Sequence, residues 1–171
     1  TAEGLTVQLN SLDGRNLWIN TARYTQDNPY VWIKSGLDNM TSTFNEKHIY
    51  CPTPFKAGDV ITVQAKSNIP WSSSHGGSES NTGKAGFWLY LGTYAQASTG
   101  AYTSPVFLSG DNSSTEFKKT YTIPTVSGIT DIYIGFRFNS YSYNNVSLEA
   151  HCWDIKLEKG SKATDWTPAP E

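Results

Sequence analysis

The residues of this chain best suited to chemistry are aromatic rings interleaved with amides and a few cations. Where the sequence alternates as a strand does, Trp88, Tyr90, Tyr133, Arg137 and Asn139 fall opposite the apolar positions, and so do Gln64 and Lys66. That set fits sugars. A pyranose has an apolar face of C–H bonds that packs flat on an indole or phenol. Its hydroxyls both donate and accept, which suits amides, guanidinium and ammonium groups. Burying about 80 Å² of C–H surface per sugar contributes about 2 kcal/mol. Each hydrogen bond adds about 1 kcal/mol net. A single site of this kind is therefore weak, on the order of micromolar to millimolar.

Each ring also has a plainer use. Trp88 and Tyr90 either stack on a ligand or pack beneath a loop or another domain, and Arg137 either binds or pairs with an acid. Trp71, just after Pro70, either anchors the loop over 72–84 or forms a second stacking platform. His75, within that loop, is either a hydroxyl partner or a bystander. Trp18, Trp32, Trp153 and Trp166 read as core or edge-packing residues. Trp153 shares strand parity with Ile155 and Leu157, which supports that reading.

Catalytic patterns are missing. Gly76-Gly77 has no Lys-Ser/Thr after it, so it is no phosphate loop, and no G-x-S-x-G elbow occurs. Cys152 with His48, His75 or His151 would make a dyad. However, Cys152 sits in an apolar strand, whereas a reactive thiol needs an electropositive, partly exposed niche. Acids are too sparse for a glycosidase pair, and Glu149 and Asp154 point to opposite sides of a regular strand. No Cys/His spacing fits zinc. The expectation is a non-catalytic protein with no metal and no cofactor. Three N-x-S/T sequons, at Asn39, Asn112 and Asn145, matter only in a eukaryotic secretory pathway.

The elements that must position these residues are strands. The 171 residues carry 13 Lys and Arg against 15 Asp and Glu, a net charge of −2. Only 16% are charged, whereas 13% are aromatic, so the surface is polar through hydroxyls and amides. Such a chain has no electrostatic footprint for nucleic acid, no span for membrane insertion and too many rings for disorder. Thr1-Ala2-Glu3-Gly4 has no basic start or apolar run, so no signal peptide is expected, though a cleaved leader or excision from a longer chain stays open. Two cysteines, Cys51 and Cys152, are too few for a disulfide framework; they either pair once or stay as buried free thiols.

No window shows a helical stripe. Alternation marks strands at Leu5–Gln8, Asn16–Ile19, Tyr30–Ile33, Lys47–Tyr50, Val60–Asn68, Phe87–Tyr94, Pro105–Leu108, Glu116–Ile123, Asp131–Asn139 and Val146–Leu157. Turn signals such as Asp13-Gly14, Ala57-Gly58-Asp59, Gly110-Asp111 and Lys159-Gly160 separate them. Residues 71–84 and 94–104 read as loops too polar to be buried. The expected fold is an all-β, two-sheet antiparallel β-sandwich, a jelly roll, with a flattened barrel as the alternative. It spans 1–171 as one domain, with 163–171 as closing strand and exit linker. If the three clearest strands share a sheet, its outer face carries the sugar-binding set.

Three segments carry a family resemblance. Lys156-Leu157-Glu158-Lys159-Gly160-Ser161-Lys162-Ala163-Thr164-Asp165-Trp166-Thr167-Pro168-Ala169-Pro170-Glu171 resembles the closing motif of jelly-roll carbohydrate-binding modules in bacteriophage tail proteins, "K-L-E-x-G-x-x-A-T-x-W-x-P-A-P-E". Phe55-Lys56-Ala57-Gly58-Asp59-Val60-Ile61-Thr62-Val63 is similar to their "A-G-D" lead-in to a central strand, and Asn16-Leu17 to their opening. The resemblance implies a module of a siphophage tail or baseplate protein, such as an enlarged distal tail protein, of a phage of lactic-acid bacteria. Its partners would be host cell-surface polysaccharide, the rest of the tail protein and neighbouring tail subunits, with no nucleic acid. Its place would be the virion tail tip. Binding residues vary in that family, so none transfers by motif, and Leu157 and Trp166 would seal one end of the sandwich. The chain departs from many relatives in its Ser/Gly loop and its two cysteines. Assembly in a reducing cytoplasm implies free thiols. The alternative to host attachment is a structural or protein-interaction domain of the virion tail.

Overall fold

In the computed structural model, which describes residues 14–35, 39–41, 49–75, 82–99, 105–141 and 148–166, the described residues form eight strands in two antiparallel sheets, seven of them at expected segments and one, at 39–41, not expected. The strands are β1 (Tyr30–Ser35), β2 (Asn39–Thr41), β3 (Val60–Ser67), β4 (Lys84–Gly92), β5 (Pro105–Leu108), β6 (Glu116–Thr122), β7 (Tyr133–Tyr141) and β8 (Leu148–Lys159). One sheet has five strands in the order β2-β1-β8-β3-β6, and the other has three, β5-β4-β7. From β3 onward the chain crosses repeatedly between the sheets, as in a jelly roll. The chain is thus an all-β sandwich. The expected strand at Leu5–Gln8 lies outside the described residues, as do residues 47–48 and 146–147 of two others.

The core forms where the inner faces meet. Ile61, Val63 and Ala65 of β3 face Phe87, Leu89 and Leu91 of β4 and Ile134, Phe136 and Phe138 of β7, and all are buried. Phe87 and Phe117 stack across the sandwich with centroids 4.5 Å apart and planes 3° from parallel. Trp18 fills the space beside them, 6.0 Å from Phe87, and its Nε1 donates to the Ile134 carbonyl at 3.1 Å. Trp71 is fully buried against Phe87, Phe117 and Phe138. Cys51 and Cys152 are buried and unpaired.

Backbone groups at the edges are managed. The segment 49–55 lies along β7: Cys51 N–H donates to Ile134 O at 2.9 Å, and Phe136 N–H to Ile49 O at 3.1 Å. The edge strand β6 carries Lys118 and Lys119, charges that oppose pairing with another chain.

Several expectations are corrected. The three clearest strands do not share a sheet. β4 and β7 are neighbours, but β3 lies in the other sheet, because alternation fixes which side chains face the core and not which sheet they belong to. Tyr94 does not continue β4. It opens a short helix, α1 (Tyr94–Thr99). Gln96 N–H donates to Thr93 Oγ1 at 3.3 Å, and Thr93 N–H donates to Gln96 Oε1 at 2.8 Å, a capping box. Trp71 and Ser72 are buried although their segment reads as too polar for that. Residues 16–19 form no strand, Ile49 and Tyr50 belong to none of the strands, with Tyr50 making only an isolated bridge to Gly135, and no closing strand is present over 163–166.

The last correction is a β-bulge. Gln64 pairs with Lys156 but Lys66 pairs with Trp153, so β8 holds one extra residue. Asp154 absorbs it with φ of 49°. Parity shifts there, so Trp153 does not follow Ile155 and Leu157 into the core and stays half-buried. Glu149 and Asp154 consequently do not take opposite sides. Glu149 lies among the outward residues of β8, and Asp154 pairs with the outward Lys66 at 3.4 Å.

Candidate functional site

The outer face of the three-stranded sheet gathers most of the aromatic candidates. β4 and β7 pair so that Trp88 stands opposite Arg137, Tyr90 opposite Gly135, Gly86 opposite Asn139 and Gly92 opposite Tyr133. β5 sets Phe107 on the other side of Trp88. The Arg137 guanidinium lies 5.3 Å from the Trp88 ring centre. The Phe107 ring meets Trp88 edge-on at 5.2 Å. His75 is exposed and 5.6 Å from both Trp88 and Phe107.

The indole is held in place. Trp88 Nε1 donates to Asn139 Oδ1 at 3.0 Å, and Asn139 is buried. Gly86 makes room for that bond, because a Cβ there would sit 2.3 Å from Asn139 Oδ1 and 2.8 Å from the Tyr141 ring. Trp88 thus offers a fixed platform, with its N–H already used. Its ring is shared with Arg137, so a ligand meets an arginine–tryptophan pair rather than a bare indole.

α1 bounds this face at one end. It lies over Gly135, where a Cβ would approach Ala97 O to 2.9 Å. It presents Tyr94, the exposed large hydrophobic residue among the described residues, at 48% exposure. Tyr94 contacts Tyr133 edge-on at 5.3 Å and Tyr50 at 5.7 Å, and the Tyr50 and Tyr94 hydroxyls are 3.3 Å apart. That hydrogen bond, and lesser burial, raise the Tyr50 phenol pKa and keep it neutral. Among the described residues at outward positions of β4, β5 and β7, the charged ones are Lys84 and Arg137, and no carboxylate is present.

The structure therefore brings Trp88, Tyr90, Tyr133, Arg137, Asn139 and His75 onto one side of the molecule. Gln64 and Lys66 lie on the opposite sheet, and Trp71 is in the core with its Nε1 donating to Thr115 O at 3.0 Å. Phe107, Tyr141, Tyr94 and Tyr50 are additions. The alternation of Phe107 with Val106 and Leu108, and the Thr93-x-x-Gln96 cap, are the signals that point to the first and third. His151 and Cys152 are consecutive on β8 and face opposite sides. Burial, with a lesser contribution from Asp154, pushes the Cys152 thiol pKa well up.

The opposite face has a different character. Lys156 and Glu158 point outward from β8, yet they are buried where Thr164 and Asp165 return against them. Lys156 Nζ donates to Thr164 Oγ1 at 2.7 Å and to Asp165 O at 2.6 Å, and contacts Glu158 Oε2 at 2.9 Å. Glu158 accepts from Thr164 N–H and Thr164 Oγ1, both at 2.9 Å. Gln64 Nε2 donates to Thr164 O at 2.7 Å, and Trp166 Nε1 to Ile155 O at 3.2 Å. Trp166 thus covers the outside of a sheet rather than an end of the sandwich. Compared with known proteins, the chain matches no family model, no curated protein and no solved structure.

Proposed function

We propose that this chain is a non-catalytic carbohydrate-binding module that attaches a phage tail to host cell-wall polysaccharide. The observation that carries the sugar-binding part is the Trp88–Arg137 pair at the middle of an outer sheet face with aromatic flanks and no described carboxylate. The platform offers apolar area for C–H faces, and Arg137, His75 and the tyrosine hydroxyls supply hydrogen-bonding groups. The phage-tail part rests on the sequence resemblance at the closing, A-G-D and Asn16-Leu17 segments. A weak site suits such a setting, because repeated copies raise avidity by about 10²–10⁴ where geometry allows.

The test is labelling of host cells with fluorescent protein, competed by purified wall polysaccharide. Trp88→Ala should abolish labelling, since it removes both the platform and the support under Arg137. Arg137→Ala should weaken it about tenfold or more, with circular dichroism unchanged in both. Undiminished labelling by both variants would sink the site assignment. No labelling by the parent, together with a stable complex with another tail protein, would favour the structural or protein-interaction reading.

A further inference from the structure

The relocation of Gln64 and Lys66 places them beside a second cleft, on the face opposite Trp88. It measures about 240 Å³ and lies between β3, β6 and the segment 163–166. We propose that this cleft is a second saccharide subsite, sized for one neutral pyranose ring. It is independent of the Trp88 face and goes beyond the attachment reading.

One wall is the Trp166 indole. Its Nε1 is fixed on the Ile155 carbonyl, so the ring offers apolar surface in a set orientation. The neighbouring Thr164 is held on both sides, by the buried Lys156–Glu158 pair below and by Gln64 beside it. The wall is thus preorganised, and little ordering is required on binding. The floor and rim supply polar groups of both kinds. Lys66 and Lys118 donate, while Glu116, Asp154 and Asp165 accept. Lys66 keeps its side chain 47% exposed and lies 3.4 Å from Asp154, a loose contact that leaves donors to spare. Two cations against three carboxylates make the rim slightly acidic, so it disfavours phosphorylated or acidic sugars and suits a neutral, hydroxyl-rich ring.

Indole N–H signals in a ¹H–¹⁵N correlation spectrum separate the two faces, since Trp166 and Trp88 report on opposite sheets. Glucose, galactose and N-acetylglucosamine are titrated into the millimolar range expected of a one-ring site. The Trp166 signal should shift and saturate with at least one of them, both in the parent protein and in Trp88→Ala. The double variant Lys66→Ala/Lys118→Ala, which removes two exposed side chains and leaves the fold intact, should weaken that response about fivefold or more. No Trp166 response to any of the three sugars would overturn the subsite. Unchanged affinity in the double variant, or loss of the Trp166 response in Trp88→Ala, would overturn it equally. Polysaccharide attachment through the Trp88 face stands or falls separately, by the cell-labelling experiment.

Discussion

Lys156 has three N–H donors, and three acceptors meet them: Glu158 Oε2, Thr164 Oγ1 and Asp165 O. Glu158 in turn receives the backbone and hydroxyl of Thr164. Two opposite charges removed from water are tolerable only with such full satisfaction. The Lys-Leu-Glu … Ala-Thr-x-Trp spacing of the closing motif follows from this arrangement. Leu157 enters the core while its two neighbours grip the returning segment. Removing one partner of a buried pair costs about 3–5 kcal/mol, because the other charge is stranded. Glu158→Ala should therefore lower the melting temperature by about 6–20 °C in a chain of this size. Lys156→Met/Glu158→Leu, which leaves no buried charge, should recover much of that loss. A Glu158→Ala protein melting with the parent in a thermal scan would show that the segment does not hold the pair dry.

At the scale of elements, the bulge in β8 decides which side chains reach which face. Asp154 sits at φ of 49°, where a Cβ costs about 1–2 kcal/mol and Asp is among the few residues that tolerate it. Asp154→Gly should match or exceed the parent in urea midpoint, since it loses only the partly exposed contact with Lys66. Asp154→Val should lose about 1–2 kcal/mol or more, because a branched side chain is poorly accommodated there. Equal midpoints for the two would mean that the position is not held in this conformation. The same bulge marks the limit of what alternation conveys. β3, β4 and β7 were legible as strands, and their core faces with them, because Ile, Val, Leu and Phe recur at every second position. Trp88, Tyr90, Tyr133, Arg137 and Asn139 could be assigned to the outer side for the same reason. The partner strand has no such signature, so Gln64 and Lys66 were legible as outward but not as belonging to the other sheet. Trp153 stays out of the core because one inserted residue reverses parity without changing composition. Trp71 was hidden by serines that belong to its loop and not to its ring. The A-G-D lead-in has a local cause: Gly58 adopts φ of 94° and the Asp59 carboxylate accepts the Lys56 N–H at 2.9 Å.

For the whole molecule, neither sheet buries its inner face alone, and one core cluster draws on both. Even the edges are shared. Asn16, fully buried, donates through Nδ2 to Ile155 O at 2.8 Å and accepts from Leu157 N–H at 3.2 Å, closing the stretch of β8 that lies beyond its pairing with β1. Such interdependence makes the sandwich one cooperative unit, and the two thiols report on it from different sheets. Cys51 lies on the segment covering β7, and Cys152 lies within β8 beside β1. Burial pushes the Cys51 thiol pKa up to about 11 and that of Cys152 well above its ordinary value. At pH 8 neither native thiol should react, because the thiolate is the reactive form and both sulfurs are enclosed. Labelling must proceed through unfolding, so peptide mapping after timed thiol labelling across a urea series should give both cysteines one opening free energy and one urea dependence. Labelling of Cys51 at low urea with a shallow slope, while Cys152 stays protected, would mean that segment 49–55 opens by itself. Tyr50, which lies on that segment and bonds Tyr94 at the border of the aromatic face, would then move with it, and the face would be built on a mobile rim rather than on the rigid sandwich.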